Sequence, residues 1–333
     1  EATFTPNDTN YLPSTHELSV VVGKKIVEIV IIQNEFIYNE KSQSIIVKVM
    51  DGQNDITSLV EVLGVGSKSD AGISNTIVSI ESYNYYAEEV ETTLIVNKAD
   101  YTPSVIPSGL TATYGDLLSS VVLTNDLSNI EGVWTWNTNG TVGNAGTNTF
   151  EVTFTPNNSN YIPSTHELSV VVAKKEVVIE VIQSSFIYDE QQHTVIYRVM
   201  NGEVDITNIV TVNGNIYSTI VGRTSVTLSL ASANFVAQDV TTILAISKAE
   251  YTPSVIPSGL TATYGDLLSS VVLTNDLSNI EGVWTWNTNG TVGNAGTKTF
   301  QATFTPNNEY YLPSIHELSV VVAKKELTIN VVN

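Results

Sequence analysis

Hydrophobic and polar positions alternate in short runs along the whole chain, and no run carries the three-and-four spacing of an amphipathic helix. In "ELSVVVAKK" (167–175) every second residue, Leu168, Val170 and Val172, is apolar, which puts the three on one face of a strand. "GVWTWN" (132–137) sets Trp134 and Trp136 opposite Val133, Thr135 and Asn137, and "NTFEVTF" (148–154) groups Phe150, Val152 and Phe154. The turn-rich "NTNGTVGNAG" separates them. Upstream, "YTPSVI" (101–106) reads as an edge strand that tolerates Pro103. "LTATYG" reads as a strand ended by Gly115, and "DLLSSVVL" (116–123) as one helical turn with Asp116 as its cap. "EVVIEVI" (176–182), "TVIYRVM" (194–200), "NIVTVNGN" (208–215), "TSVTLSL" (224–230) and "TTILAIS" (241–247) are further strands.

These elements recur. Tyr101–Phe150 returns at Tyr251–Phe300 with one change, Asn148 to Lys298. Glu1–Lys25 matches Glu151–Lys175 and Gln301–Lys325, and Ile26–Asp100 matches Glu176–Glu250 at a little over a third of positions. Lysines mark the seams: Lys24–Lys25, Lys98, Lys174–Lys175, Lys248 and Lys324–Lys325 are eight of the fourteen basic residues. Two copy types of about 75 residues therefore alternate. The expected division is a partial A copy at 1–25, B at 26–99, A at 100–175, B at 176–249, A at 250–325, and the first strand of another B at 326–333. Five to seven short strands per copy predict an all-β tandem array of small Ig-like sandwiches forming an extended rod, with a β-grasp-like module as the alternative. Trp134 or Trp136, Tyr114, Phe154 and Tyr161 are the expected core or near-core residues of the A copy.

The composition narrows the functional classes. Net charge is −20, a sign that repels phosphate backbones and anionic lipid and argues against nucleic-acid binding. No apolar run approaches membrane-spanning length. There is no cysteine, hence no disulfide, thiol nucleophile or Cys-ligated metal. The sequence opens inside a repeat without a Met, as a window from a longer chain would.

"TATYGD" (111–116), "FIYDE" (186–190), "VGNAGTNTFEVTFTPNNSNY" (142–161) and "ILAISKA" (243–249) together resemble the MBG-type (YGX) tandem Ig-like modules of bacterial cell-surface proteins. The resemblance covers the whole chain. The B copies depart from it, with Asn39-Glu40 and Asp189-Glu190 where glycine is usual. It implies a secreted, repeated stalk or spacer and no catalytic residues.

The candidate chemistry is sparse. His16, His166 and His316 stand once per A copy, but "HELS" lacks the second histidine of a zinc-protease helix. No Gly-x-Ser-x-Gly elbow and no phosphate-binding loop occur, and near-identical copies argue against a single tuned catalytic site. No catalytic, cofactor or metal residue is assigned. Acidic and amide loops at Pro6–Tyr11 and Thr124–Gly132 offer Ca²⁺ ligands at junctions, although Asn and Asp serve turns there more commonly. An internal isopeptide cross-link has only a seam lysine such as Lys98 to draw on. The expected partners are neighbouring modules of the same chain and a cell-surface glycan or protein. The reading is a structural stalk. An adhesive array with Trp134 and Trp136 as a sugar platform, and a filament built by strand exchange between chains, are the alternatives.

Overall fold

The computed structural model describes residues 1–124, 130–274 and 280–329. It divides into two compact units, Glu1–Ala173 and Lys174–Asn333. Each holds one B copy followed by one A copy.

The B copy of the first unit is a two-layer sandwich. One layer orders the strands Glu35–Ile37, Val90–Asn97, Gly72–Ile80 and Val60–Gly64, with the first pair parallel and the others antiparallel. The other orders Ile29–Gln33, Ile46–Asp51 and Asn54–Asp55, with a bulge between Ile31 and Gln33. Ile29, Ile45, Val49, Val78 and Ala87 close the core between them. The second unit repeats this plan with Ser185–Ile187, Val240–Ser247, Gly222–Leu230 and Val210–Asn213 over Ile179–Gln183, Ile196–Asn201 and Val204–Asp205. Each expected B strand is present, because alternation supplies a buried face for every one of them.

The A copy keeps the first layer and loosens the second. Leu110–Thr113 runs parallel to Ser164–Ala173, which pairs antiparallel with Gly146–Pro156, which pairs antiparallel with Gly132–Trp136. The opposite side is closed by the 3-10 turn Leu118–Ser120, a single bridge between Leu117 and Thr141, and loops. The expected edge strand at 101–106 does not form. Pro103 and Pro107 are buried there and have no N–H to give a ladder. The helical turn forms, but Asp116 does not cap it. Its Oδ2 accepts from the Thr113 amide at 2.8 Å and closes the Tyr-Gly-Asp turn, in which Gly115 has φ 95°.

Trp134, Phe154, Leu168, Val170 and Val172 form the A core with Leu110, Leu118, Val121, Val142 and Val152, and Tyr114 and Trp136 pack at its margin. Gly132 sits where a Cβ would lie 2.4 Å from the Phe154 ring and 2.6 Å from the Thr155 carbonyl, and Gly282 repeats this against Phe304 and Thr305. Glycine lets those two strands close over the aromatic ring.

Residues 1–24 form only the hairpin Ala2–Phe4 with Ser14–His16, and Lys25 begins the short strand Lys25–Ile26. The expected closing strand after His16 is not a strand, because the counterpart of Gly146–Phe150 that would pair with it is not in the sequence. Leu18, Val20 and Val22 are exposed, whereas their counterparts Leu168, Val170 and Val172 are buried. At the other end Glu326–Ile329 form no strand, and the rest of that expected strand lies outside the described residues.

Candidate functional site

The most built-up polar and aromatic cluster lies where each B copy meets the A copy that follows it in the same unit. From the A side comes the loop after Gly146–Pro156. Asn158 Oδ1 accepts from the Asn160 amide at 3.0 Å and its carbonyl accepts from the Tyr161 amide at 3.2 Å. This Asx turn aims Asn160 and Tyr161 at the B copy. From the B side comes the Tyr38-Asn39-Glu40 turn, held by the Lys41 amide on Asn39 Oδ1 at 3.1 Å and the Tyr38 amide on the Asn97 carbonyl at 2.8 Å.

Tyr161 is the hinge pin of the first junction. Its ring stands edge-on to Tyr38 with centroids 5.3 Å apart, and lies 5.6 Å from Tyr101, which continues to Phe154 in the A core. Its hydroxyl donates to Glu40 Oε1 at 2.9 Å, and that bond, followed by burial, raises the phenol above its ordinary value. Beside it the buried Asn160 donates to Asp70 Oδ1 at 3.0 Å and accepts from the Ala71 amide at 2.8 Å. Asn158 Nδ2 reaches the Tyr38 hydroxyl at 3.3 Å.

The second junction reuses the pin. Tyr311 donates to Glu190 Oε1 at 2.9 Å and lies 5.4 Å from Tyr188 and 5.5 Å from Tyr251. Burial, then the bond to Glu190, raises its phenol too. Tyr310 stands in place of Asn160 and sets its ring 4.9 Å from Tyr188.

Glu40 (φ 63°) and Glu190 (φ 65°) are the only non-glycine residues with positive φ among the described residues. A left-handed backbone costs a side-chain-bearing residue on the order of 1–2 kcal/mol. In both units that strain falls on the residue whose carboxylate crosses to the next copy's tyrosine. These are also positions where the B copies depart from the Gly-containing motif.

The residues singled out from sequence fall elsewhere, Tyr161 excepted. Trp134 and Trp284 are core residues. Trp136 and Trp286 are half-buried and give their indole N–H to the carbonyls of Val121 and Val271 at 3.1 and 3.0 Å. The sugar platform that the adhesive alternative requires of this pair is not presented. His166 and His316 lie on strands, bonded to Ser164 and Ser314 and packed on Trp134 and Trp284, and His16 is exposed. In the loop at Pro6–Tyr11, Asp8 accepts from the Asn10 amide at 2.9 Å, the same Asx turn as at Asn158. Residues 125–129 of the other candidate calcium loop lie outside the described residues. Among the described residues no three His, Asp or Glu side chains converge as metal ligands, and no helix is long and apolar enough to cross a membrane. Lys98 is exposed.

Tyr38, Glu40, Asp70 and Asn160 as a group escaped sequence reasoning. The one available signal was "FIY-x-E", kept in both B copies although most of their other positions differ.

No family model and no curated protein sequence matches the chain. Among solved structures it is similar to Sidekick-1 immunoglobulin domains 1–5, at 11% identity over 89% of this chain and 81% of that one, with a TM-score of 0.26. It is also similar to protocadherin gamma B2 extracellular cadherin domains 1–5 (12%, 93% and 82%, TM-score 0.23). The insect immune protein hemolin is a third (10%, 89% and 99%, TM-score 0.22). At these scores the likeness decides nothing about function.

Proposed function

We propose that this chain is a structural repeat segment of a long extracellular bacterial surface protein and serves as a stalk or spacer. The observation that carries the reading is the twice-built clasp of Tyr161 on Glu40 and Tyr311 on Glu190. An aromatic cluster backed by a strained carboxylate fixes one copy on the next, which is what a load-bearing or distance-setting array needs. No Gly/Ser-rich linker separates the copies, so the seams do not behave as random coil. The neighbouring copy is the partner for which specific groups exist, and the function is non-catalytic: length and stiffness follow from copy number and junctions.

Small-angle X-ray scattering tests this. A compact globule of this length has a radius of gyration of roughly 20 Å. A rod of four or more copies, each about 30 Å long, has one of roughly 35–40 Å. The rod value is expected with EDTA or with calcium. A compact value overturns the stalk, and stiffening only with calcium returns the junctions to metal control.

A further inference from the structure

We propose that residues 70–71 of a B copy and residue 160 of the A copy after it form a pairing code, by which each B copy accepts its own A copy and not the other. The two A copies differ at seven positions between 101 and 173: 148, 151, 152, 159, 160, 162 and 165. Three of the seven, 159, 160 and 162, lie within the segment 158–162 that meets the preceding B copy, and B residues 70 and 71 change with them. Asp70-Ala71 with Asn160 becomes Ile220-Val221 with Tyr310.

The chemistry of the first set is self-consistent, and in the second the residue at this place packs on Tyr188 instead. Asn160 is 8% exposed and has both ends of its amide occupied, one by a carboxylate and one by a backbone amide. Set against Ile220-Val221 it would lose the carboxylate, and a buried amide short of a partner is costly. A tyrosine at 160 would take from the Ala71 amide the acceptor that Asn160 supplies, while Tyr310 finds its support in the Tyr188 ring instead. The constant parts of the clasp, Tyr-x-Glu against tyrosine, hold any B to any A. The variable pair adds the discrimination, by mismatch as much as by match. Pairing of this kind fixes the order of copies and disfavours slipped or exchanged neighbours during folding of a chain whose A copies are otherwise nearly interchangeable. The code does not depend on whether the array is a spacer, and its test reads junctions while scattering reads length.

The experiment is amide hydrogen exchange on the full 333-residue chain, with the second junction as internal control. The variants are N160Y, D70I/A71V and all three changes together. Each of the first two is expected to speed exchange of the position-71 amide and of the loop at 158–162 about five- to tenfold, and the combination is expected to return both to within about twofold of the parent. Exchange of the core strand Ser164–Ala173 reports whether a variant has lost its fold. Asn160→Ala adds no bulk and serves as the second probe. It is expected to cost protection against Asp70 and to cost nothing further once D70I/A71V is present. Rates that simply multiply when the changes are combined, or an Asn160→Ala effect of equal size in both backgrounds, would overturn the code.

Discussion

At the first junction Asn160 exchanges two hydrogen bonds with Asp70 and Ala71, and at the second the same position is Tyr310, its ring 4.9 Å from Tyr188. The backbone around them is the same, down to a left-handed glutamate at the same place in both B copies. The B copies differ in the same manner elsewhere. Lys25, Asp51 and Tyr85 are joined by an ion pair and a 2.9 Å hydrogen bond in the first. Their counterparts are Lys175, Asn201 and Phe235, so the carboxylate and the phenol are gone together. The second B copy has its own groups, Arg198 on Glu180 at 2.8 Å and His193 on Asp189 at 2.8 Å, where the first has Lys48 with Val30 and Gln43 with Asn39. The lesson is that alternation and core side chains hold the fold constant, while some polar fastenings are kept in both units and others are replaced. Where the group is buried, as Asn160 is, a half-kept set leaves it unmet and is costly.

The largest test of that division is in the cores. Phe154→Ala and Phe304→Ala are each expected to destabilise their own A copy by about 3–5 kcal/mol, since both rings are fully buried. The two losses should agree within the error of denaturant unfolding or global exchange. One exception to identity makes the test strict, since Val152 is replaced by Ala302 beside the ring. Losses that differ by more than that methyl pair can supply would show that the two cores are not equivalent.

Next in size is the close approach at Gly132 and Gly282. Gly132→Ala must displace the Phe154 ring or the strand carrying it, and about 1–3 kcal/mol is expected from overpacking. Gly282→Ala should match it. A neutral result in either would mean that the sheet relaxes there, and thermal unfolding measures it directly.

Smaller again is the clasp. Glu40→Ala removes the acceptor of Tyr161 and keeps the backbone strain, and is expected to cost about 1 kcal/mol. Glu40→Gly removes the acceptor and relieves the strain, so it should lie nearer the parent. Glu190 should behave alike. The two phenols supply a pH test. Both are raised in the folded chain, so the stabilisation is whole below the ordinary phenol value and is lost as pH climbs through the raised ones. Ultraviolet titration should show Tyr161 and Tyr311 ionising above the ordinary phenol range. If Tyr161→Phe leaves the alkaline unfolding of the first unit unchanged, the clasp is not what titrates.

What the sequence made legible follows the same line. Period-two alternation located the B strands and the sheet of the A copy, because one buried face fixes a strand whatever its partners. It failed at 101–106, where Pro103 within the run and Pro107 just after it bury their rings without a ladder. It also failed at Asp116, whose carboxylate serves a turn rather than the 3-10 start. The junction was illegible for a different reason: Glu40 and Tyr161 are 121 residues apart, and nothing local in "YNE" or "SNY" says that they meet. Tyr161 was recognised as near-core from its aromatic character alone, and its role as a link needed the partner in view.

The smallest effect expected is also the one that separates the B copies most cleanly. Lys25 and then Tyr85 hold the Asp51 carboxyl below its ordinary value by hydrogen bonds, with the Lys25 charge adding a little. A carboxylate lowered in the folded state stabilises above its ordinary range, and that stabilisation is lost as pH falls through the lowered value. Lys25 is exposed while Asp51 and Tyr85 are partly covered, so salt screens the pair in part and the change is modest. In the second B copy the same position is Asn201, which has no carboxyl to protonate. Acidification should therefore speed exchange around Lys25–Ile26 and Tyr85–Tyr86, which pair as short parallel strands, and leave Lys175–Glu176 and Phe235–Val236 unmoved. The second copy has an acid-sensitive group of its own at Asp189, lowered first by the Gln191 amide and then by His193, so its response should appear at the Asp189–His193 turn instead. Asp51→Asn turns the first copy into the second at this one position. It should abolish the acid response at the Lys25 pairing and leave the neutral-pH exchange of the core strands where it was. An acid response that survives Asp51→Asn would place the titrating group elsewhere in the copy, with Asp55 the next to replace, since its carboxyl is lowered by Thr57 in a turn that both copies share with Asp205 and Thr207.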